Sequence, residues 1–385
     1  MKVEIHDHRS LTPKSYLPTL DGWRAIAILG VMIAHAANSV FCPEGSLPNA
    51  WWYAVIRRGG LGVDIFFGIS GFLICSRLLQ EHRQNGQIGL RSFYIRRIFR
   101  ILPASFAYLA VVGLLTLAGF SLTTPIMWWS CVGFFRNYLP LPGPDGHYTG
   151  HFWSLAVEEH FYLLWPSLLF LCGPRRARPW ALGLALAVAA WRVWEFRHQW
   201  LGHWIPGAAF YVRTDIRLDG LLWGCWAALV LEVSAWRERL TRWLSPGIWA
   251  GLVAIFIACV LYKPPLVMMW QVILIPFILL GTVLRPQGLA GRFLETQPMR
   301  WLGRVSYSLY LWNLLFFPLG TFPRPLPLGT FQQLPWNILL VFACASLSYY
   351  LVERPMVRWG HSLTSSTSQP TKEFSKEKRS ASQAA

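Results

Sequence analysis

Apolar runs that recur about every 30 residues constrain this chain more than any other feature of its sequence. Each run is roughly long enough to cross a hydrocarbon core of about 30 Å. Backbone N–H and C=O groups in lipid must be satisfied within the segment, so the runs are predicted to be helices. The sequence therefore predicts an all-α polytopic transmembrane helical bundle of about ten spans. The predicted spans are 23–41, 61–79, 101–119, 152–172, 180–197, 217–234, 247–262, 266–284, 304–320 and 334–352.

A shorter apolar stretch at 125–139 is open to several interpretations, as a re-entrant piece, an interfacial piece or a further span. The composition supports a membrane protein, because 54% of the residues are hydrophobic and only 14% are charged. A soluble domain usually carries about 25% charged residues.

The distribution of basic residues decides how the net charge of +17 is interpreted. With the N-terminus in the cytoplasm, ten spans return the C-terminus there. On this topology 26 of the 35 Lys and Arg residues lie on the cytoplasmic side. This excess is the positive-inside pattern of membrane proteins. We therefore predict an N-in, C-in topology, contact with the lipid bilayer and no nucleic-acid partner.

Three regions follow from composition. Residues 1–20 form a short cytoplasmic lead, 21–358 the transmembrane domain, and 359–385 a Ser-, Thr-, Gln- and Lys-rich cytoplasmic tail that is predicted to be disordered. The lead lacks the apolar core of a removable signal peptide. The seven cysteines show neither a CxxC pair nor a Cys/His metal spacing, so no metal site is predicted.

The first predicted span carries an arginine and a histidine on one face. Arg24 and His35 are 11 residues apart, which at about 100° per residue is within about 20° of three whole turns. His35 would lie about 16 Å deeper than Arg24, near the bilayer middle, where an ionisable residue is a functional candidate. Histidine can remove a proton near neutral pH. A neutral histidine hydrogen-bonded between helices remains the alternative.

Arginines cluster at the predicted cytoplasmic entrance of the third span, in FYIRRIFRILPA. Arg97 and Arg100 are three residues apart and hence neighbours on one helix face, with Arg96 beside them. Guanidinium groups match phosphate oxygens in a two-pronged geometry, so the cluster can bind an anionic, nucleotide-bearing acyl carrier. Ordinary positive-inside anchoring is the alternative.

Polar residues in the second and fourth predicted spans are candidates for substrate binding. Asp64 stands near the outer end of GVDIFFGISGFLI, and Ser70 lies deeper. In FWSLAVEEHFYLLWP, Glu158 and Glu159 enter the fourth span from outside, and Tyr162 follows them. Adjacent carboxylates two turns into an apolar helix are hard to explain as solvated surface, so one is expected to face a polar cavity. For Asp64 the alternative is a helix cap or a hydrogen bond between helices, and for the glutamates it is pairing with a buried arginine.

Taken in order, these motifs resemble the acyltransferase-3 family of integral membrane acyltransferases, over about residues 16–355. The likeness rests on the Arg24…His35 pair, GVDIFFGISGF, the Arg97-x-x-Arg100 pair, FWSLAVEEHFY and GRVSYSLYLWN. One departure is Asn313, where family members often have His, and this argues against a catalytic role for position 313. Many members carry a hydrolase-like domain after the membrane part, and the type without that domain is expected here.

The resemblance implies an O-acyltransferase of a bacterial cytoplasmic membrane. It would move an acyl group, commonly acetyl, from cytoplasmic acyl-coenzyme A to a hydroxyl of a sugar-containing acceptor, such as a cell-surface or exported polysaccharide or a glycosylated metabolite. His35 would be the general base with Arg24 near it. The arginines of the third span would bind acetyl-CoA, and the polar residues of the second and fourth spans would bind the acceptor.

Two other function classes remain open at this point. A proton-coupled secondary transporter can also use His, Arg and Glu within helices, although it more often shows broken helices in two matching halves. A non-catalytic scaffold is the second, although polar clusters in lipid are costly without a cavity. The sequence leaves open whether the protein forms a homo-oligomer.

Overall fold

The computed structural model describes residues 16–40, 57–140, 146–205, 207, 209–262, 264, 266–317 and 328–365. These residues form helices and connecting turns without a β-strand. The α-helices are α1 (Pro18–Val40), α2 (Gly62–Asn85), α3 (Leu90–Leu117), α4 (Pro125–Val132), α5 (Phe152–His198), α6 (Trp200–Trp204), α7 (Thr214–Arg217), α8 (Asp219–Leu231), α9 (Ser234–Trp243), α10 (Pro246–Tyr262), α11 (Val267–Leu284), α12 (Leu289–Leu294), α13 (Gln297–Phe316), α14 (Trp336–Ser348) and α15 (Arg354–Ser365). A π-helical turn, Tyr349–Glu353, joins α14 to α15.

Six segments of the described chain are long and apolar enough to cross a membrane, or seven if α9 and α10, bent by 77°, form one span. This confirms the all-α polytopic fold, and the protein is membrane-embedded. The predicted spans at 217–234 and 304–320 lie on α7–α8 and α13. α8 is only 13 residues long, and α13 carries polar side chains along half of its length. Neither helix is therefore among the six segments that are long and apolar enough to cross a membrane. The count of ten spans stays a prediction.

The longest helical run, α5, consists of two antiparallel arms. Gly173, at φ +69° and ψ 164°, interrupts the helical geometry. A straight helix would separate Trp153 from Arg192 by about 58 Å. Instead both lie beside the same segment: the Arg217 guanidinium is 5.4 Å from the Trp153 ring centre, and Arg192 Nε donates to the Ile216 carbonyl oxygen at 2.9 Å. α5 therefore crosses the bundle twice, in agreement with the two spans predicted for this region.

α3 begins at Leu90, well before the predicted start of the third span at 101. Arg97 and Arg100 therefore lie two to three turns after the first residue of the helix. The 28 residues of α3 extend about 42 Å, more than a hydrocarbon core of about 30 Å. The N-terminal part of α3 lies against α2 and α5, since Arg96 pairs with Glu81 and the Arg97 guanidinium lies 5.4 Å from the Tyr162 ring centre.

The apolar stretch at 125–139 forms the eight-residue helix α4 and a 3₁₀ turn. Eight residues extend about 12 Å, so this stretch does not cross the membrane as one helix. Trp128 Nε1 donates to the Leu109 carbonyl oxygen at 3.0 Å, and the buried Arg136 donates to the Pro140 carbonyl oxygen at 2.9 Å. The piece is therefore folded back against the end of α3.

α2 and α8 approach each other closely at glycines. A Cβ atom on Gly71 would lie 1.9 Å from the Leu221 carbonyl oxygen, and one on Gly224 would lie 2.4 Å from the Gly68 carbonyl oxygen. Any larger residue would force the helices apart. Small residues at helix interfaces are typical of membrane bundles, and this contact fixes the position of α2 at the site described below.

The C-terminal helix α15 packs against α3, where the Phe99 and Trp359 rings lie 5.0 Å apart at their centres. α15 runs to Ser365, past residue 358, where we predicted the membrane domain to end. The remainder of the predicted tail, and the first 15 residues of the predicted lead, lie outside the described residues.

Candidate active site

A cavity with an empty volume of about 920 Å³, its mouth included, lies between α1, α2, α3, α5 and α13. The lining includes six residues that the sequence singled out, namely Arg24, Ser70, Arg97, Arg100, Glu158 and Tyr162. Motifs that are far apart in the chain therefore meet in one place.

Four guanidinium groups converge on the cavity, from Arg24, Arg77, Arg97 and Arg100. Arg24 Nη1 lies 3.3 Å from Asp21 Oδ1. The other three arginines form no ion pair within the described part of the chain. Guanidinium groups without a carboxylate partner favour an anionic ligand, above all one with phosphate oxygens.

The Arg97 guanidinium is held between aromatic rings. It lies 5.5 Å from the ring centre of Phe93 and 5.4 Å from that of Tyr162. Aromatic faces attract cations at this distance, and they leave the edge N–H groups of Arg97 available to a ligand. The sandwich ties the arginine cluster of α3 to the first arm of α5.

Arg96, the third arginine of the predicted donor cluster, does not line this cavity. Its Nη2 lies 3.2 Å from Glu81 Oε2, and Glu81 Oε1 accepts from the Gly89 backbone N–H at 3.2 Å. The charge of Arg96 is therefore compensated within the protein.

Both oxygens of the Glu158 carboxylate are hydrogen-bonded. Ser70 Oγ donates to Oε1 at 3.0 Å, and Tyr162 Oη donates to Oε2 at 2.8 Å. We predicted Glu158 to enter the fourth span from outside and to bind the acceptor or pair with a buried arginine. The structure places it in the same cavity as Arg97.

Glu159 and Asp64, two further predicted substrate-binding residues, do not line the cavity. Glu159 follows Glu158 on a helix and so points about 100° away from it. Asp64 Oδ1 accepts from Arg217 Nη2 at 2.5 Å, and the two side chains are only 7% and 8% exposed. Asp64 thus joins α2 to α7 in a buried ion pair.

Further buried ion pairs hold the second arm of α5 against α7 and α8. Arg213 lies 2.8 Å from Glu195 and 2.6 Å from Asp215, and Arg192 pairs with Asp219. These contacts explain the charges of this region as a packing network between helices.

His35, the predicted base, does not line the cavity either, and it contacts Asn313. The two atoms His35 Nδ1 and Asn313 Oδ1 are 2.5 Å apart. The Asn313 amide nitrogen donates to the carbonyl oxygens of Leu309 and Tyr310, so its oxygen must face the imidazole. His35 Nδ1 then carries the proton, and Nε2 keeps its lone pair, which is the form a general base needs.

Tyr310 links the cavity to this pair. Its side chain lines the cavity, and it lies one helical turn before Asn313 on α13. The Tyr310 hydroxyl interacts with Ser154 Oγ at 2.6 Å and donates to the His151 carbonyl oxygen at 3.0 Å. Tyr310 is thus the cavity-lining residue of α13 that lies one turn from Asn313.

Sequence reasoning missed Arg77 and Asn313 as site residues. Arg77 was counted among the positive-inside anchors, although it lies seven residues, about two turns, after Ser70 and so shares its helix face. Asn313 was set aside because the family often has His there. Its pairing with His35 joins residues 278 positions apart, and only the tertiary structure reveals it.

A comparison with known families identifies the family to which this chain belongs. The family profile described as an acyltransferase domain matches residues 17–353. The chain belongs to the acyltransferase-3 family. Peptidoglycan O-acetyltransferase OatA of Listeria monocytogenes is 28% identical over 385 aligned residues, which cover 90% of this chain and 57% of that relative. O-acetyltransferase OatA of Staphylococcus aureus is 29% identical over 379 residues, 90% of this chain and 58% of the relative. This chain thus spans little more than half the length of these relatives, and no solved structure matches it.

Proposed function

We propose that this protein is a membrane-embedded O-acyltransferase that moves an acyl group, acetyl first of all, from acyl-coenzyme A to a hydroxyl of a sugar-containing acceptor. The observation that carries the proposal is the cavity that brings a hydrogen-bonded glutamate together with Arg77, Arg97 and Arg100, which form no ion pair with a carboxylate among the described residues. Membership of the acyltransferase family favours group transfer over proton-coupled transport. The names of the relatives support acetyl as the group and a cell-wall glycan as the first acceptor to test.

The donor site in this proposal is the arginine cluster. Coenzyme A carries a diphosphate and a 3′-phosphate, and Arg77, Arg97 and Arg100 are the cavity arginines without an ion-pair partner among described residues. Bidentate guanidinium–phosphate contacts combine charge with fixed geometry. The arginines would face the cytoplasm, where acyl-coenzyme A is made, in agreement with the proposed N-in, C-in orientation in a bacterial cytoplasmic membrane.

His35 is the general base in this proposal. The acceptor hydroxyl would give its proton to His35 Nε2 while its oxygen attacks the thioester carbonyl carbon. The C–S bond then breaks, coenzyme A takes that proton and leaves as a thiol, and the acyl group stays on the acceptor as an ester. The imidazole returns to its neutral form. The reaction requires that the cavity extend past Tyr310 to reach His35.

Glu158 is the proposed contact for the acceptor. Ser70 and Tyr162 occupy one lone pair on each oxygen, and a carboxylate has further acceptor sites for sugar hydroxyls. The neighbouring arginines offset its negative charge.

The test uses purified protein in detergent micelles, with isotopically labelled acetyl-CoA and a panel of peptidoglycan fragments and other glycans. Mass spectrometry should detect the gain of one labelled acetyl group per modified hydroxyl. His35→Gln should lower transfer by about 10²-fold or more, the usual scale for a general base. Arg97→Ala should raise the KM for acetyl-CoA, and Arg97→Lys should rescue it only partly.

The matched control is Arg91→Ala, because Arg91 is an exposed residue of the same helix and lies outside the cavity. It should retain normal kinetics. A folded wild-type protein that acetylates none of the glycans would refute the proposed function. Near-normal transfer by His35→Gln would show that a residue other than His35 is the general base.

A further inference from the structure

Two tyrosines of α13, Tyr307 and Tyr310, line the cavity and are hydrogen-bonded in the same way. The Tyr307 hydroxyl lies 2.6 Å from Ser105 Oγ of α3 and donates to the Ile101 carbonyl oxygen at 2.9 Å. The Tyr310 hydroxyl makes the corresponding two contacts with Ser154 and the segment before α5. Neither hydroxyl has a role in the reaction described above, although both side chains line the space in which the thioester would be held.

The His151 carbonyl oxygen, which accepts from Tyr310, has further donors beside it. Ser154 Oγ lies 3.3 Å from this oxygen, and the Ser154 backbone N–H donates to it at 3.3 Å. The Tyr310 O–H can therefore turn to a ligand without leaving a buried carbonyl unsatisfied, which would cost about 1–3 kcal/mol. In that arrangement Ser154 Oγ donates to Tyr310, and hydrogen bonds in series strengthen one another.

The position of Tyr310 on α13 relates it to the proposed base. Tyr310 precedes Asn313 by three residues, a rise of about 4.5 Å, and Asn313 accepts from His35 Nδ1. Tyr307 is six residues, about 9 Å, from Asn313 along the same axis. A thioester that reacts next to His35 is therefore closer to Tyr310 than to Tyr307 along this helix.

We propose that Tyr310 is a catalytic residue that donates a hydrogen bond to the carbonyl oxygen of the bound thioester and stabilises the negative charge that forms there. This proposal rests on the proposed function and adds a residue to its reaction. As the acceptor oxygen bonds to the carbonyl carbon, the π electrons of the C=O bond move onto the carbonyl oxygen. Tyr310 keeps its proton and donates to this oxyanion. The electrons return as the C–S bond breaks, and the sulfur takes the proton held by His35.

Tyr94 provides a matched control, because it has the same kind of contacts outside the cavity. Its hydroxyl lies 3.4 Å from Ser167 Oγ and donates to the Leu163 carbonyl oxygen at 3.3 Å. Ser167 Oγ donates to the same carbonyl at 3.1 Å. These contacts join α3 to α5, so Tyr94→Phe measures the effect of losing a tyrosine hydroxyl that only links two helices.

The kinetic test varies acetyl-CoA in the full-length protein, with a glycan that the wild type acetylates as the acceptor. Tyr310→Phe should lower kcat about 10²-fold or more, the usual scale for one donor to an oxyanion, and should leave the KM for acetyl-CoA within about threefold. Tyr94→Phe should retain wild-type kinetics, and Tyr307→Phe should lose less than Tyr310→Phe. If Tyr310→Phe does not fold, 3-fluorotyrosine at position 310 keeps the hydroxyl and makes it a stronger donor, so kcat should rise.

Infrared spectroscopy tests the contact without turnover. Acetyl-CoA with a carbon-13 carbonyl is bound to His35→Gln protein, which slows transfer, and to the same protein with Tyr310→Phe added. A hydrogen bond weakens the C=O bond, so the carbonyl stretch should lie at lower frequency when Tyr310 is present. A tyrosine that only links helices would leave this frequency unchanged.

Several results would overturn the assignment of Tyr310. These are a near-normal kcat in Tyr310→Phe, equal losses in Tyr307→Phe and Tyr310→Phe, an unchanged kcat with 3-fluorotyrosine, and an identical carbonyl frequency with and without the Tyr310 hydroxyl. In each case an active wild type leaves the proposed function intact. A folded wild type that transfers no acetyl group to any glycan refutes the proposed function itself.

Discussion

Replacing Asn313 by Leu is expected to slow acyl transfer by roughly two- to tenfold with little change in donor affinity. Asn313 accepts from His35 Nδ1 over 2.5 Å, and its amide nitrogen is committed to the carbonyl oxygens of Leu309 and Tyr310. One net hydrogen bond contributes about 0.5–1.5 kcal/mol. Since about 1.4 kcal/mol corresponds to a factor of ten, its loss depletes the reactive tautomer of His35 by up to that factor.

The assay separates kcat from KM with acetyl-CoA as the varied substrate. Asn313→Leu should lower kcat and leave KM within about twofold, because Asn313 does not line the cavity. Asn313→Asp is the conservative variant, since a carboxylate also accepts from Nδ1–H and should retain most of the activity. Nitrogen-15 NMR of histidine-labelled protein reports the tautomer directly, with His35→Gln identifying the signal.

Two results would refute this reasoning. One is an unchanged kcat in Asn313→Leu. The other is an equal loss in the Leu and Asp variants together with an unchanged His35 signal, which would make Asn313 a packing residue only.

Three further predictions follow from the fold and the site. Reporter fusions at the C-terminus and within 140–151 should report cytoplasm and exterior respectively, and an exterior C-terminus would reverse the sidedness of the donor site. Glu158→Gln should lower the rate of acyl transfer at least tenfold, whereas Glu159→Gln should stay within about twofold of wild type because Glu159 lies outside the cavity. Equal effects of the two variants in the same kinetic assay would contradict the placement of Glu158. Arg217→Met should cost about 3–5 kcal/mol of stability by leaving the buried Asp64 unpaired, and a second change of Asp64 to Leu should recover most of it in thermal unfolding of the detergent-solubilised protein.

Hydropathy located the helices well but not their ends. It separated the two arms of α5, because the polar linker GPRRARP interrupts the apolar sequence. It placed the start of α3 at residue 101, whereas the helix begins at Leu90. Hydropathy marks where a helix leaves the lipid, and the polar first turns of α3 lie against other helices.

Helix periodicity identified several site residues but not their partners. The face shared by Arg97 and Arg100 follows from their spacing, and both line the cavity. Periodicity does not show which carboxylate pairs with Arg96 or which residue is hydrogen-bonded to His35. Both depend on how distant helices pack, and a single sequence does not contain that information. A basic residue such as Arg77 has the same local pattern whether it anchors a helix or binds a ligand.

The π-helical turn between α14 and α15 shifts the phase of one helix relative to the other. Buried positions on α14 recur at Asn337, Val341, Ala345 and Ser348, and the next fully buried position is Glu353, five residues later. The extra residue rotates α15 by about 100° relative to a continuous α-helix. Deleting one residue from 349–353 would undo that rotation, so the side of α15 that carries Val357 would turn away from α3. The length of this turn, more than the identity of its residues, therefore sets which side of the last helix faces the arginine cluster.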